Sequence, residues 1–188
     1  MKDSSPGDPK VAQLLEQIPG EAGLPPVHLW DPPFCGDIDM RIARDGSWHY
    51  QGMPLQRAAM VRLFSRVLRR DGDRYFLVTP VEKVGIEVDD APFQAVSVQI
   101  EGGVTQRLRF TTNAGDEVVA GADHPVRVVT DKQSGEPRPY IHVRAGLEAL
   151  IQRTPFYEMV EHAVEREEQG KRWLGVCSDE VFFPIGEV

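Results

Sequence analysis

The chain has 188 residues, 41% hydrophobic and 27% charged, enough to bury a core without disulfides or metals. A net charge of −8 disfavours wholesale association with nucleic acid, and two cysteines exclude a disulfide scaffold. Fifteen prolines and 17 glycines, gathered at the start and in turns, exclude an all-helical fold.

The charge is uneven. Residues 1–80 carry 10 basic and 10 acidic side chains, and residues 81–188 carry 11 and 19. MKDSSPGDPK lacks the apolar centre of a signal peptide, and no apolar stretch approaches the ~20 residues that span a bilayer. The expectation is a cytoplasmic protein with reduced thiols.

Residues 1–8 have the composition of a disordered arm. Pro9 to Ile18 reads as a short helix capped by Asp8, with Val11, Leu14, Leu15 and Ile18 on one face. PGEAGLPP breaks it, and an extended connector follows to Pro33, pinned by Trp30 and Phe34. In DIDMRIARDGSWHYQG, Ile38, Met40 and Ile42 alternate with Asp37, Asp39 and Arg41 as in a half-buried strand. A three-residue turn with Gly46 left-handed would pair Ile42 with Trp48 and Met40 with Tyr50, keeping one face apolar. It sets Arg41 beside His49 on the other face.

A helix is expected from about Pro54 to Arg70, with Met60, Val61, Leu63, Phe64, Val67 and Leu68 inward. Arg62, Arg66, Arg69 and Arg70 form the opposite stripe. Arg57 projects into the apolar sector, where a guanidinium needs an acid or an opening to water. Asp71-Gly72 ends the helix, Tyr75 to Val78 is a strand, and Thr79-Pro80 is the expected boundary. This gives an N-terminal arm (1–24), an N-terminal α+β domain (25–80) and a C-terminal α+β domain (81–188).

Strands are expected at 84–88, 93–100, 104–111 and 118–119, with Gly102-Gly103 as a hairpin turn. A hairpin of 126–129 and 140–143 faces Ile141 and Val143 inward, with Tyr140, His142 and Arg144 opposite. Gly146 opens a short helix. A longer one, capped by Thr154, runs through about Glu168 with Phe156, Tyr157, Met159, Val160, Ala163 and Val164 inward and Glu158, Glu161, Glu165 and Glu168 outward. A last hairpin joins 173–176 to 181–183. Both ends thus show a hairpin–helix–strand unit. The fold class expected is α+β, two related halves of antiparallel sheet, each packed by a helix.

CGDIDMRIARDGSWHYQGMPLQR, VRLFSRVLRR, FLVTPVEKVGIEV and DDAPF stand in order between Cys35 and Phe93. YIHVRAGLEALIQRTPFYEMVE and GVCSDEVFFPIG follow. Together they resemble the bacterial family called domain of unknown function 1285, over nearly everything after residue 25. The resemblance implies a duplicated α+β core and a C-terminal half loosely similar to pleckstrin-homology-like folds. It also implies a groove between the halves that takes a peptide or nucleic acid, with signalling as a context. It carries no catalytic residues.

The expected ligand-binding set is Arg41, His49, Arg57, Lys83, Tyr140, His142 and Arg144, since arginine's planar fork suits carboxylates and phosphates. The alternative is internal pairing, for Arg57 with Asp37, Asp39 or Glu82. Five histidines lack metal-ligand spacing, and Asp37 with Asp39 supplies too few oxygens for a metal. Cys35 reads as a small buried hydrophobe. No P-loop, nucleophile elbow or dinucleotide fingerprint occurs. Neither a cofactor nor a metal is expected. The leading reading is a non-enzymatic module binding a peptide or protein. Nucleic-acid binding through helix 54–70 is the alternative, and a metal-assisted hydrolase around Asp37, Asp39 and His49 ranks last.

Overall fold

Asp89 and Asp90 mark the division of the chain into two units, Met1–Asp89 and Asp90–Val188. The computed structural model describes residues 9–20 and 23–188. The expectations for residues 1–8 and for the Asp8 cap lie outside the described residues.

The first unit opens with helix α1 (Pro9–Gln17), whose Val11 and Leu14 are buried against the next helix. A single 3-10 turn (Val27–Leu29) leads to strand β1 (Phe34–Ile42). Strands β2 (Trp48–Tyr50) and β3 (Met53–Pro54) come next, then helix α2 (Ala58–Arg66). Strands β4 (Leu68–Asp71), β5 (Arg74–Val78) and β6 (Lys83–Val88) complete the sheet, in the order β3-β2-β1-β6-β5-β4.

The hairpin register is the one expected from keeping a face apolar: Met40 opposite Tyr50, Arg41 opposite His49, Ile42 opposite Trp48. Ala43 N–H donates to Ser47 O, Gly46 N–H donates to Ala43 O, and Gly46 sits at φ +85°. On the inner face Trp48 stacks on Phe64 of α2, with centroids 6.1 Å apart and planes at 15°.

Helix α2 is much shorter than the expected 54–70. Pro54 pairs with His49 in the sheet, and the helix begins only at Ala58. At the other end Val78 N–H donates to Val67 O, so strand pairing takes over the backbone. Arg69 and Arg70 therefore lie on β4 opposite Phe76 and Tyr75, and Asp71-Gly72 turns a hairpin. The arginine stripe is split between a helix and a strand.

The second unit holds β7 (Phe93–Glu101), β8 (Arg107–Thr112), β9 (Glu117–Val119), β10 (Val126–Thr130), β11 (Pro137–Arg144) and β12 (Leu147–Ile151). Their order is β10-β11-β12-β7-β8-β9. Each six-stranded sheet is thus two three-stranded antiparallel meanders joined through one parallel pair, β1 with β6 and β7 with β12. The strand order is the same in both, so the halves are similar at the level of topology. The sheets are mixed, not wholly antiparallel, because the first and last strand of each set meet side by side.

Helix α3 (Arg153–Val160) packs against β7 and is followed by β13 (Val164–Glu168), β14 (Lys171–Ser178) and β15 (Val181–Glu187), a small separate sheet. Two segments expected to be helical differ in the structure. The segment after Gly146 is strand β12, whose burial alternates from Leu147 to Ile151. The helix expected through Glu168 stops at Val160, because Glu165 to Glu168 pair with β14 across the Gln169-Gly170 turn. Its cap residue is Gln152, Tyr157 faces solvent, and the glutamate stripe does not exist as a helix face.

The repeat is also not hairpin–helix–strand. In the first unit the helix joins β3 to β4, whereas in the second a loop joins β9 to β10 and the helix follows β12. Strand β6 pairs with β1 and β5, so residues 83–88 belong with the first unit although the expected boundary was Pro80. Among the described residues no helix is long and apolar enough to cross a membrane.

Candidate functional site

The outer face of the first sheet carries several ion pairs set among aromatic rings. Phe34 and Asp37 are three residues apart on β1 and in a regular strand would face opposite ways. A bulge between them, with Gly36 at φ +93°, brings both to the same face. Arg74 on β5 lies over the rings of Phe34 and Phe76, 5.6 and 5.1 Å from the centroids, and donates to Asp37 Oδ1 at 2.5 Å. That ion pair crosses directly above Gly85, where a Cβ would stand 1.9 Å from Asp37 Oδ1. Phe34 meets Phe76 edge-on at 6.0 Å yet remains 52% exposed.

Lys83 belongs to this face. Its ammonium sits 2.6 Å from Asp71 Oδ2 and 4.1 Å from the Phe76 centroid, and Arg69 donates to the same carboxylate. Burial opposes ionisation of Asp71, but the hydrogen bonds and charges of Arg69 and Lys83 prevail and hold it below the usual carboxylate range. Further along β1, Arg41 donates through Nε and Nη2 to both oxygens of Asp89, at 2.7 and 2.6 Å. The hydrogen bond and charge of Arg41 hold the Asp89 carboxyl below its ordinary value. His49 Nε2 lies 2.9 Å from Ser47 Oγ, which donates to Asp45.

Arg57 is an exposed residue with extended backbone that precedes α2, not a helical residue aimed between Phe64 and Leu68. Exposed there, the Arg57 guanidinium does not need the buried acid that a helical position facing the apolar sector would require.

The remaining expected site residues are on β11, in the second unit. Tyr140 is buried instead of lying on an open polar face. Its hydroxyl donates to Asp90 Oδ1 at 2.8 Å, and Arg127 covers its ring at 4.4 Å. Burial and the Asp90 hydrogen bond push its phenol up to about 12. His142 lies 3.0 Å through Nδ1 from Asp123 O, and Gly146 N–H donates to its Nε2 at 3.0 Å. Arg144 pairs with Asp116 at 2.5 Å and covers Phe93 at 4.9 Å.

Of the seven expected residues, Arg41, His49 and Lys83 share one sheet face, and Arg41, Lys83 and Arg144 each hold an internal carboxylate. Sequence reading missed Phe34, Arg74 and Gly85. The bulge that turns Phe34 to the face leaves only one trace in the sequence, the glycine at 36. Cys35, expected to be buried, is exposed beside it. Three arginines of the expected stripe donate to backbone carbonyls, Arg70 to that of Gly72. Arg66 donates to the carbonyls of Pro19 and Gly23, and Arg69 to those of Val27 and Trp30. Among the described residues no group of three His, Cys, Asp or Glu is arranged to hold a metal ion.

These features define a duplication-like, two-domain α/β protein with an exposed aromatic and ion-paired sheet face. The chain belongs to the DUF1285 family. The family's N-terminal domain, a domain of unknown function, matches residues 25–91, and its C-terminal domain matches residues 92–185. A solved DUF1285 family protein from Silicibacter pomeroyi DSS-3 is 55% identical, with a TM-score of 0.87 and 95% of each chain covered. Another, from Shewanella baltica OS155, is 28% identical, with a TM-score of 0.52 over 66% of this chain and 91% of that one. No curated protein matches the chain.

Proposed function

We propose that the chain is a non-enzymatic binding and signalling module, acting in the cytoplasm, that takes a peptide or protein segment on the outer face of its first sheet. The observation that carries this reading is the cluster of Phe34, Asp37 and Arg74 above Gly85. Phe34 offers about half its surface to solvent while two neighbours fix its ring. Immobilising an aromatic before binding lowers the entropy that association costs, and aromatic and arginine residues dominate measured interface energies. Among the described residues the Arg74–Asp37 pair engages one guanidinium nitrogen and one carboxylate oxygen, leaving further donors and one acceptor side by side, which suits a peptide backbone that offers both. A polyanion would gain less, since Arg41, Arg74 and Lys83 already face carboxylates. The pleckstrin-homology-like character suggested for the C-terminal half belongs to the same reading.

Panning a displayed peptide library on the full chain tests it. A selected peptide should lose about 2 kcal/mol, roughly thirtyfold in affinity, on Phe34→Ala or Arg74→Gln. Recovery of no peptide, or equal affinity in both folded variants, would contradict the assignment.

A further inference from the structure

Strand β13 forms one edge of the small sheet. It pairs with β14 on one side only, from Val164 opposite Gly175 to Glu168 opposite Lys171, and all five of its residues are exposed. The turn that joins the strands is two residues, Gln169 at φ 54° and Gly170 at φ 75°, the geometry of a type I′ hairpin. Such a turn closes on a hydrogen-bonded pair, Glu168 with Lys171, and bonded pairs then alternate to Arg166–Trp173 and Val164–Gly175. The N–H and C=O groups of Glu165 and Glu167 consequently point away from β14. Among the described residues no backbone hydrogen bond from another element reaches them.

We propose that this edge accepts a basic extended segment of a partner protein as a fourth strand. Four open backbone groups at alternate residues supply the ladder, the mode in which peptides add to exposed sheet edges. Charge selects the occupant. The strand VEREE carries three carboxylates and one guanidinium. Glu165 is engaged by Arg172, and Arg166 lies over Phe182 at 4.4 Å with Glu168 at 3.6 Å. Glu167 lies opposite Arg172, but that guanidinium is turned to Glu165, and among the described residues Glu167 makes no ion pair.

Charged edges commonly guard a sheet against indiscriminate pairing. Here the guard has one sign, so it discriminates. An antiparallel second copy centred on Arg166 would set Glu165 against Glu167 and arginine against arginine, and like charges directly opposite destabilise. An acidic strand meets the same repulsion, and an apolar one would force Glu167 out of water without a partner. A strand with lysine or arginine at alternate positions satisfies both the backbone and Glu167. The surface belongs to the second unit, and the proposal holds whether or not the first sheet binds a peptide.

The test uses the full chain and a synthetic peptide of alternating lysine and valine. Its controls are the same peptide N-methylated at alternate residues, which keeps the charge but removes the donors, and a glutamate-for-lysine analogue. Hydrogen exchange should slow about tenfold at the Glu165 and Glu167 amides with the basic peptide alone. Glu167→Lys, at an exposed position, should abolish the protection while the thermal transition stays unchanged. Equal binding of the N-methylated peptide would reduce the effect to charge attraction and overturn the proposal. So would unprotected amides, undiminished binding by Glu167→Lys, or protection that rises with protein concentration in the absence of peptide.

Discussion

Two glycines that look alike in sequence are held to opposite standards by their neighbours. A Cβ at Gly175 would meet the Phe182 ring at 2.4 Å and the backbone oxygen of Phe183 at 2.5 Å. The backbone cannot yield, so Gly175→Ala is expected to cost about 2–3 kcal/mol in urea unfolding. At Gly85 the obstruction is the end of the Asp37 side chain, which can swing away. Gly85→Ala should cost no more than about 1 kcal/mol, the scale of an exposed ion pair. Glu82 presents the reverse situation: its buried Oε1 has no hydrogen-bond partner among the described residues. Glu82→Gln should therefore stabilise the chain by about 1 kcal/mol, since it puts a neutral amide where an acidic side chain has one oxygen that receives no donor. A lower midpoint in the same urea series would show that the charge is needed. Tyr140 carries the clearest signal in pH. Its phenol is raised in the folded chain to about 12, so its contribution is complete below pH 10 and disappears as pH rises through 12. Absorbance of phenolate should show a late-titrating tyrosine that Tyr140→Phe removes.

At the scale of elements, what could be read from the sequence was whatever one periodicity decided alone. The β1–β2 register follows from placing Met40, Ile42, Trp48 and Tyr50 on one face, since a slip by one residue would expose all four. The helices were overextended for a physical reason. Beyond their valines, Leu68-Arg69-Arg70 and Glu165 to Glu168 are residues that suit a helix locally, and pairing with β5 and β14 overrides that preference. Leu147 to Ile151 did carry the alternation of a strand, with Leu147, Ala149 and Ile151 buried. The candidate face was only half legible. Arg41 and His49 are legible from strand parity, and Lys83 from its place just past the expected boundary, but Phe34 reaches the face through a bulge that parity hides. The split of the arginine stripe also has a measurable consequence. With Arg66 and Arg69 holding the carbonyls of Pro19, Gly23, Val27 and Trp30, these two arginines are committed within the unit and the stripe is weakened as a site for displacing counterions from a phosphate backbone. Any retention on single-stranded DNA at low salt should show a slope in log salt shallower than about −2. A steep slope that Arg62→Ala flattens would favour the nucleic-acid reading over the peptide one.

For the whole molecule, the repeated strand order is the informative feature. Each sheet is completed by strands of its own unit, and each of the adjacent aspartates at the division is held from within one unit. Asp89 pairs with Arg41, while Asp90 accepts from Tyr140 and Arg138. Residues 9–89 and 90–188 expressed separately should each unfold cooperatively, and failure of either to show a transition would mean that it borrows stability from the other. The most direct test of the binding role is amide chemical-shift mapping of the labelled full chain with a selected peptide. The account predicts that the largest changes cluster at Phe34, Asp37, Arg74 and Gly85. Saturable binding that leaves these four unmoved would contradict it.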